Sequence, residues 1–372
     1  MLAFRKTTET FEAGALTLPG RYYADEAIFA AEREAVFAKR WICVGREDEI
    51  KDVGDFFLAR IAEESVIVLR DDEGKLRAFY NVCRHRGTAI CASQSGALPG
   101  KLRCPYHGWT YDFAGRLSIA PHMEEVADFD KAAYPLHAVL VDACGGFIFL
   151  NLADEPEPFA QAVGSRLARL ARWDLGDLRA ARRVDYDVAA NWKIVVENYS
   201  ECYHCPLVHP ELSRKVHSGS SRNDAFEGPL LGGFMDLKDN VASLTRTGER
   251  CGPTLGTVGG DDLARVYFYA LFPNMAISLH PDYVMVFTLQ PIAAGRTMVR
   301  CEWLFSKAAL AHKACQPDEA VRFWDAINRE DWEICALVQQ GVRSRRYRPS
   351  PMSSMESLAA AFNREAVNAL GA

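Results

Sequence analysis

The feature that most restricts how this chain can fold is the stretch from Cys83 to Trp109, which reads C-R-H-R-G, a spacer, then C-P-Y-H-G-W. Cys83 and His85 form a Cys-x-His pair and Cys104 and His107 a Cys-x-x-His pair, with eighteen residues between His85 and Cys104. Two thiolates and two imidazoles suit a tetrahedral zinc ion, and equally a two-iron, two-sulfide cluster with Cys on one iron and His on the other. Spacing alone does not choose between them. Imidazole donates less negative charge than thiolate, so a mixed cluster sits at a higher potential than an all-Cys one and accepts electrons readily.

Composition narrows what surrounds that stretch. A chain of 372 residues, 49% hydrophobic and 25% charged, has room for two or three domains with real cores. A net charge of −6 without a Lys/Arg run argues against a nucleic-acid partner. There is no run of eighteen apolar residues, and Arg5, Lys6 and nearby acids interrupt the amino end, so neither a membrane span nor a signal peptide is expected. A cytoplasmic location follows as the default. Eleven Cys is an odd count without a scaffold spacing, and those outside the ligand pairs are expected to be reduced core thiols.

Periodicity then divides the chain. Residues 25–40, after Pro19-Gly20, carry Ile28, Phe29, Ala35 and Val36 on one face at helical spacing, with Phe37 off it. This leader helix is assigned to residues 1–40, packing on the domain formed by residues 156–372. Short apolar runs follow at Trp41–Val44, Phe56–Ile61, Val66–Leu69 and Leu76–Val82, and Phe147–Leu152 reads as a closing strand. They predict a small antiparallel β domain over residues 41–155 that holds the ligand loops. Asp154-Glu155-Pro156-Glu157-Pro158 marks its end as a linker.

In residues 156–372 the spacing predicts a helix over Phe159–Trp173, a strand at Arg182–Val188, and a helix capped by Asn191. Strands follow at Arg265–Phe272, Tyr283–Pro291 and Thr297–Phe305, then helices at Asp318–Val342 and Met352–Leu370. The fold class expected is α+β, with an antiparallel sheet and segregated helices. Within this part lies N-Y-S-E-C-Y-H-C-P-L-V-H-P, Asn198 to Pro210. Pro206 between His204 and His209 is expected to break the helix and turn His209 back toward His204. Two imidazoles and a carboxylate make the facial set that holds non-haem iron(II). On the 318–342 helix, Ala320, Trp324, Ile327, Ile334, Cys335, Val338 and Val342 share an apolar arc with Asp331 near its centre. A carboxylate there is costly unless paired or metal-bound, which makes Asp331 the candidate third ligand. Glu330 lies at the arc's border, and Asp325 and Glu333 point away.

Gly87, Pro105, Gly108 and Trp109 around the first ligand set resemble the Rieske signature, and with the downstream motif nearly the whole chain resembles the oxygenase component (α subunit) of the Rieske non-haem iron oxygenases. The resemblance implies a Rieske [2Fe-2S] cluster on Cys83, His85, Cys104 and His107, joined to a helix-grip catalytic domain with a mononuclear Fe(II). It further implies a homotrimer in which a cluster of one subunit serves the iron of its neighbour through a carboxylate. The matching position is Glu201, three before His204 and so on one helix face, set to meet His107 or His85 across the interface. Most aromatic-ring dioxygenases carry Asp there. Glu, and the wider E-N-Y-S-E-C-Y-H-C-P string, are similar to the quaternary-amine branch. Asn198 resembles a hydrogen-bonding position beside the iron.

No G-x-G-x-x-G follows a strand, so electrons are expected from a separate flavin/iron–sulfur reductase, with dioxygen and a small molecule as substrates. For a trimethylammonium or betaine substrate, N-methyl hydroxylation gives demethylation and formaldehyde. Recognition would use aromatic rings by cation–π attraction, with Tyr203, Phe234, Tyr267, Tyr269 and Tyr283 as candidates. An aromatic-ring hydroxylase acting on an aromatic acid would use the same surfaces. An electron carrier or a zinc-stapled binding protein is the alternative outside the oxygenases.

Overall fold

The computed structural model describes residues 4–224 and 228–371, and the chain forms two compact units. One runs from Phe37 to Gly164, and the other joins the residues up to Val36 to those from Ser165 onward. The Asp154–Pro158 stretch is therefore inside the first unit instead of closing it. Its backbone is tied down there, since the Trp41 indole donates to the Glu157 carbonyl at 2.8 Å.

In the first unit the apolar runs become short antiparallel strands. Asp55–Ile61, Glu64–Arg70 and Leu76–Tyr80 form a meander that Ser95–Ala97 extends at one edge. Phe147–Asn151, fully buried, pairs with Ile42–Arg46 and with Leu140–Cys144. A third sheet of Leu102–Arg103, Thr110–Tyr111 and Leu117–Ile119 carries the Cys104–His107 turn in its first hairpin. Ile67, Leu69, Phe79, Leu102, Trp109 and Tyr111 form one core with Cys83 and Cys104. Each large apolar side chain buried there contributes about 1.5–3 kcal/mol, so the ligand loops start from a rigid floor.

The second unit is built on one eight-stranded antiparallel sheet. Its spatial order is Phe4–Lys6, Arg222–Asp224, Leu230–Asp236, Arg265–Leu271, Met275–Leu279, Val284–Ala293, Arg296–Ser306 and Leu178–Val188. The Trp192–Tyr199 helix opens as its sequence requires, with the Asn191 side chain accepting from the Lys193 N–H. The Pro317–Val342 helix grips the sheet through polar contacts. Its Trp324 indole donates to the Tyr283 hydroxyl at 2.7 Å and its Asn328 amide to the Tyr186 hydroxyl at 3.3 Å. Among the described residues no helix is long and apolar enough to cross a membrane.

Several expectations need correction. The leader helix is regular only over Glu26–Glu32; a wider turn over Arg33–Phe37 adds a residue per turn and re-phases Phe37 into a buried position. The Phe159–Trp173 helix is irregular, changing winding at Gly164 and Leu167. On the long helix Val338 is exposed, while Gln339 is buried because it joins two segments: it accepts from the Asn191 N–H at 2.7 Å and donates to the Tyr23 carbonyl at 3.1 Å. The strands Leu230–Asp236 and Met275–Leu279 were not expected. Gly232-Gly233 dilutes the pattern of the first, and a Cβ at either would strike backbone of the adjoining strand. The second is buried on both faces and shows no alternation.

Candidate active site

The two ligand loops of the first unit are near copies of each other. Cys83 N–H donates to the Thr88 carbonyl and Gly87 N–H to the Cys83 carbonyl, each at 2.9 Å. Cys104 N–H donates to Trp109 O at 2.8 Å and Gly108 N–H to Cys104 O at 3.2 Å. Both turns need φ of +73°, at Gly87 and at Gly108, a region where a Cβ is strained. The cysteines are buried and both histidines exposed, with the imidazole rings 4.6 Å apart. The indole of Trp109 stacks on His85 at 4.9 Å, and the Tyr111 hydroxyl lies 3.4 Å from Cys83 Sγ. Burial, then the neighbouring Cys83, pushes the Cys104 thiol up, so a metal must supply the charge that makes it a thiolate. Among the described residues these four do not form a set whose ligating atoms all lie within 4.8 Å. A single zinc would require such a set, whereas a two-iron cluster holds the Cys and His pairs apart.

One such set does exist in the second unit, and it is His204, His209 and Asp331. His204 Nε2 lies 3.2 Å from His209 Nε2 and 3.3 Å from Asp331 Oδ1, and His209 Nε2 lies 2.9 Å from Asp331 Oδ1. Donors about 2.1 Å from one ion and at right angles are about 3 Å apart, so the three fit one face of a six-coordinate metal and leave the opposite face open. Each imidazole is aimed by a carboxylate on its other nitrogen. His204 Nδ1 meets Glu201 Oε1 at 2.5 Å and His209 Nδ1 meets Glu330 Oε2 at 2.7 Å. Such outer partners fix the ring orientation of metal-bound histidines. Burial alone would lower the His204 pKa, but Asp331 and Glu201 outweigh it and raise it to about 10. Asp331 is 16% exposed and its partial desolvation raises its carboxyl, yet the two histidines hold it below its ordinary value. The site is built to stabilise positive charge.

Local structure explains the convergence, though not as expected. The helix ends at Tyr199, so Glu201 shares no helix face with His204. Its carboxylate instead caps the following turn, accepting from the Tyr203 and His204 N–H groups. Pro206 does not break a helix: it sits in the first turn of Cys205–Val208, and Pro210 opens Pro210–Ser213, leaving His209 at the joint. Cys202 and Cys205 are joined in a disulfide, against the expectation of reduced thiols; the nine other Cys are free. Asn198 borders the adjacent cavity, and among the described residues it makes no hydrogen bond to a ligating side chain.

That cavity is open to solvent at its mouth, and its walls are largely apolar. Five lining rings form a connected chain of edge-to-face contacts. Trp324 meets Phe268 at 6.3 Å, Phe268 meets Tyr199 at 6.2 Å, Tyr199 meets Phe287 at 5.6 Å and Phe287 meets Trp332 at 6.3 Å. The aromatic residues named from the sequence fall elsewhere. Tyr267 and Tyr269 do share a strand face, but it is the face away from Phe268, and their hydroxyls go to Asp262 and Asp224. Phe234 borders the cavity, yet its ring packs against Phe4 and Tyr267 beneath the Arg265 guanidinium. Tyr283 is buried, with its hydroxyl donating to Leu244 O, and Tyr203 is 63% exposed. Both strand faces carry aromatics, so composition could not select the correct one. Glu330 was missed because a border position reads as solvent-facing; its adjacency to Asp331 was the available signal.

Comparison with known proteins gives consistent results. The family described as ring hydroxylating alpha subunit (catalytic domain) matches residues 175–372, and the Rieske [2Fe-2S] domain matches residues 40–130. The chain is similar to the glycine betaine monooxygenase oxygenase subunit of Pseudomonas aeruginosa, 33% identical over 366 residues, covering 91% of this chain and 85% of that one. It is also similar to the carnitine monooxygenase oxygenase subunit of Escherichia coli, 32% identical over 342 residues, covering 90% and 86%. A solved quaternary ammonium Rieske monooxygenase in complex with its substrate L-carnitine superposes with a TM-score of 0.78 at 25% identity, covering 97% of each chain.

Proposed function

Because the chain belongs to the family of Rieske ring-hydroxylating oxygenase α subunits, we propose that its substrate is a small quaternary ammonium compound, betaine-like, whose N-methyl group it hydroxylates. As a member of that family it is an oxidoreductase with a Rieske cluster and a mononuclear iron, and it works with a separate reductase. The observation that carries the substrate reading is the frame of Tyr199, Phe268, Phe287, Trp324 and Trp332 beside the His204/His209/Asp331 group. Aromatic faces attract a cation that has no hydrogen to donate, and each contact is worth about 0.5–2 kcal/mol. Relatives named for glycine betaine and carnitine support the same class.

In this reading His204, His209 and Asp331 hold the iron, and Cys83, His85, Cys104 and His107 hold the cluster. When bound, the two centres each supply one electron for the reduction of dioxygen. The remaining work belongs to the chain. Glu201 and Glu330 orient the two imidazoles, and the apolar frame excludes water and turns one methyl group toward the metal. The balanced reaction consumes the N-methyl compound, dioxygen, two electrons and two protons, and gives the N-hydroxymethyl compound and water. That product breaks its N–C bond, leaving the tertiary amine, formaldehyde and a proton.

In this reading the chain forms a homotrimer in the cytoplasm, and Glu201 links His204 toward an exposed cluster imidazole, His85 or His107, of a neighbouring subunit. The deciding experiment supplies the purified protein with a surrogate reductase and follows dioxygen and formaldehyde together. One formaldehyde per dioxygen with glycine betaine or carnitine supports the assignment; a phenol or cis-diol from an aromatic acid without formaldehyde overturns it.

A further inference from the structure

We propose that Asn328 is a specificity-determining residue, whose amide oxygen is aimed into the aromatic cavity and receives the positively charged head of the substrate. The inference rests on the quaternary ammonium reading and deepens it. It names the group that tells such a head from an uncharged one of the same shape.

Asn328 is 2% exposed and borders the cavity. On the Pro317–Val342 helix it comes four residues after Trp324, four before Trp332 and three before Asp331, so it shares a face with two of the rings and stands one turn from the carboxylate. Its neighbours fix which way the amide points. Burial pushes the Tyr186 hydroxyl well above its ordinary value, so it keeps its proton, and it gives that proton to Asp325 Oδ1 at 2.7 Å. Burial also raises the Asp325 carboxyl, but Arg329, whose Nε is 3.0 Å from Oδ2, and the Tyr186 hydroxyl outweigh it and keep the group ionised. A carboxylate has no proton to return. Toward Asn328 the tyrosine oxygen can therefore only accept, which requires Nδ2 to face it, at 3.3 Å. The same Nδ2 lies 3.8 Å from Cys301 Sγ. Oδ1 is left on the opposite side of the amide, with no hydrogen-bond partner among the described residues.

An amide oxygen taken out of water without a partner is costly, so a cavity wall that carries one suits a ligand with a positive counterpart. A quaternary ammonium head has no N–H to donate. Its charge is carried outward on the methyl hydrogens, which make C–H···O contacts with a carbonyl while the neighbouring rings offer their negative faces to the same head. A tert-butyl head has the same shape and lacks that charge, so it gains the burial but not these contacts. Arg329, Asp325 and Tyr186 form a positioning chain behind the amide. Without it the side chain can rotate and turn its N–H groups, which repel a cation, toward the substrate.

Two pairs of molecules that differ only in nitrogen against carbon at the head test this: glycine betaine with 3,3-dimethylbutanoate, and choline with 3,3-dimethylbutan-1-ol. Calorimetry on the full chain with both metal centres loaded gives the dissociation constant of each. Wild-type protein should bind the ammonium member of at least one pair about tenfold more tightly than the carbon member, the scale of cation–π contacts. Asn328→Leu, close in shape but without the acceptor, should cut that preference about two- to fivefold, the scale of the C–H···O contact, by weakening the ammonium member alone. Tyr186→Phe, which frees the amide, should cut it in the same direction and by less, and it decides the matter if the leucine variant does not fold. A preference unchanged by the substitution overturns the inference. So does an equal loss for both members of a pair, which would give Asn328 a structural role or, in the alcohol pair alone, a hydroxyl to accept. Wild-type protein that prefers the ammonium member of neither pair overturns the substrate reading instead.

Discussion

Replacing Glu330 by alanine tests whether the second imidazole depends on its own carboxylate. Glu330 Oε2 lies 2.7 Å from His209 Nδ1, and the side chains are 43% and 1% exposed respectively. Loss of such a partner costs about 10–100-fold in metal affinity, or about 1.4–2.7 kcal/mol. The exposure of Glu330 places the effect at the low end, because solvent already screens the pair and water can take the vacated position. About tenfold weaker binding is therefore expected for Glu330→Ala, and less for Glu330→Gln, which keeps an acceptor for the ring N–H. Glu201 is 13% exposed against His204 and its loss should cost more. Iron(II) or cobalt(II) titration of protein with an emptied mononuclear site measures both. An unchanged constant for Glu330→Ala, or a loss as complete as removal of Asp331, would refute the reasoning; the second outcome would make Glu330 a ligand.

Asp331→Ala should empty the mononuclear site while the cluster, in the other unit, keeps its absorption; full retention of three iron atoms per chain would show that Asp331 is not a ligand. Glu201→Ala should keep a reducible cluster but slow its oxidation in a single turnover with substrate and dioxygen, and normal oxidation would remove its part in electron delivery. Glu197 gives a pH test. Burial, only partly offset by the Tyr23 hydroxyl at 2.7 Å and by Lys193, pushes its carboxyl from 4.5 up to about 7. The folded state then holds a proton that the unfolded chain releases, so stability falls as pH rises from about 4.5 to about 7 by up to about 3 kcal/mol and is flat above. Glu197→Gln should flatten this slope in urea unfolding at pH 5 and pH 8, and an unchanged slope would place the titration elsewhere.

What could be read beforehand was whatever rests on covalent spacing. The closeness of His204, His209 and Asp331 was legible in ligand chemistry and in a carboxylate at the centre of an apolar arc, and the two matching Cys-His turns in their spacing. The substrate aromatics did not, because choosing a strand face needs the pairing register. Phe268 opposite Gly233 and Ser278 is what turns Tyr267 and Tyr269 away from the cavity, and those pairs are long-range. The Leu230–Asp236 strand was hidden by glycines whose purpose is close backbone approach, visible only once the neighbours are known. The disulfide was masked by a general expectation about thiols, which the C-x-x-C spacing around His204 should have tempered.

The ligand loops also give the small unit a direction. Sulfur donors are sunk in its core and imidazole edges emerge beside the half-exposed ring of Tyr106. A cluster held by these four residues would be nearest the outside of that unit on its imidazole side, so a donor or an acceptor of its electrons would find its shortest approach there.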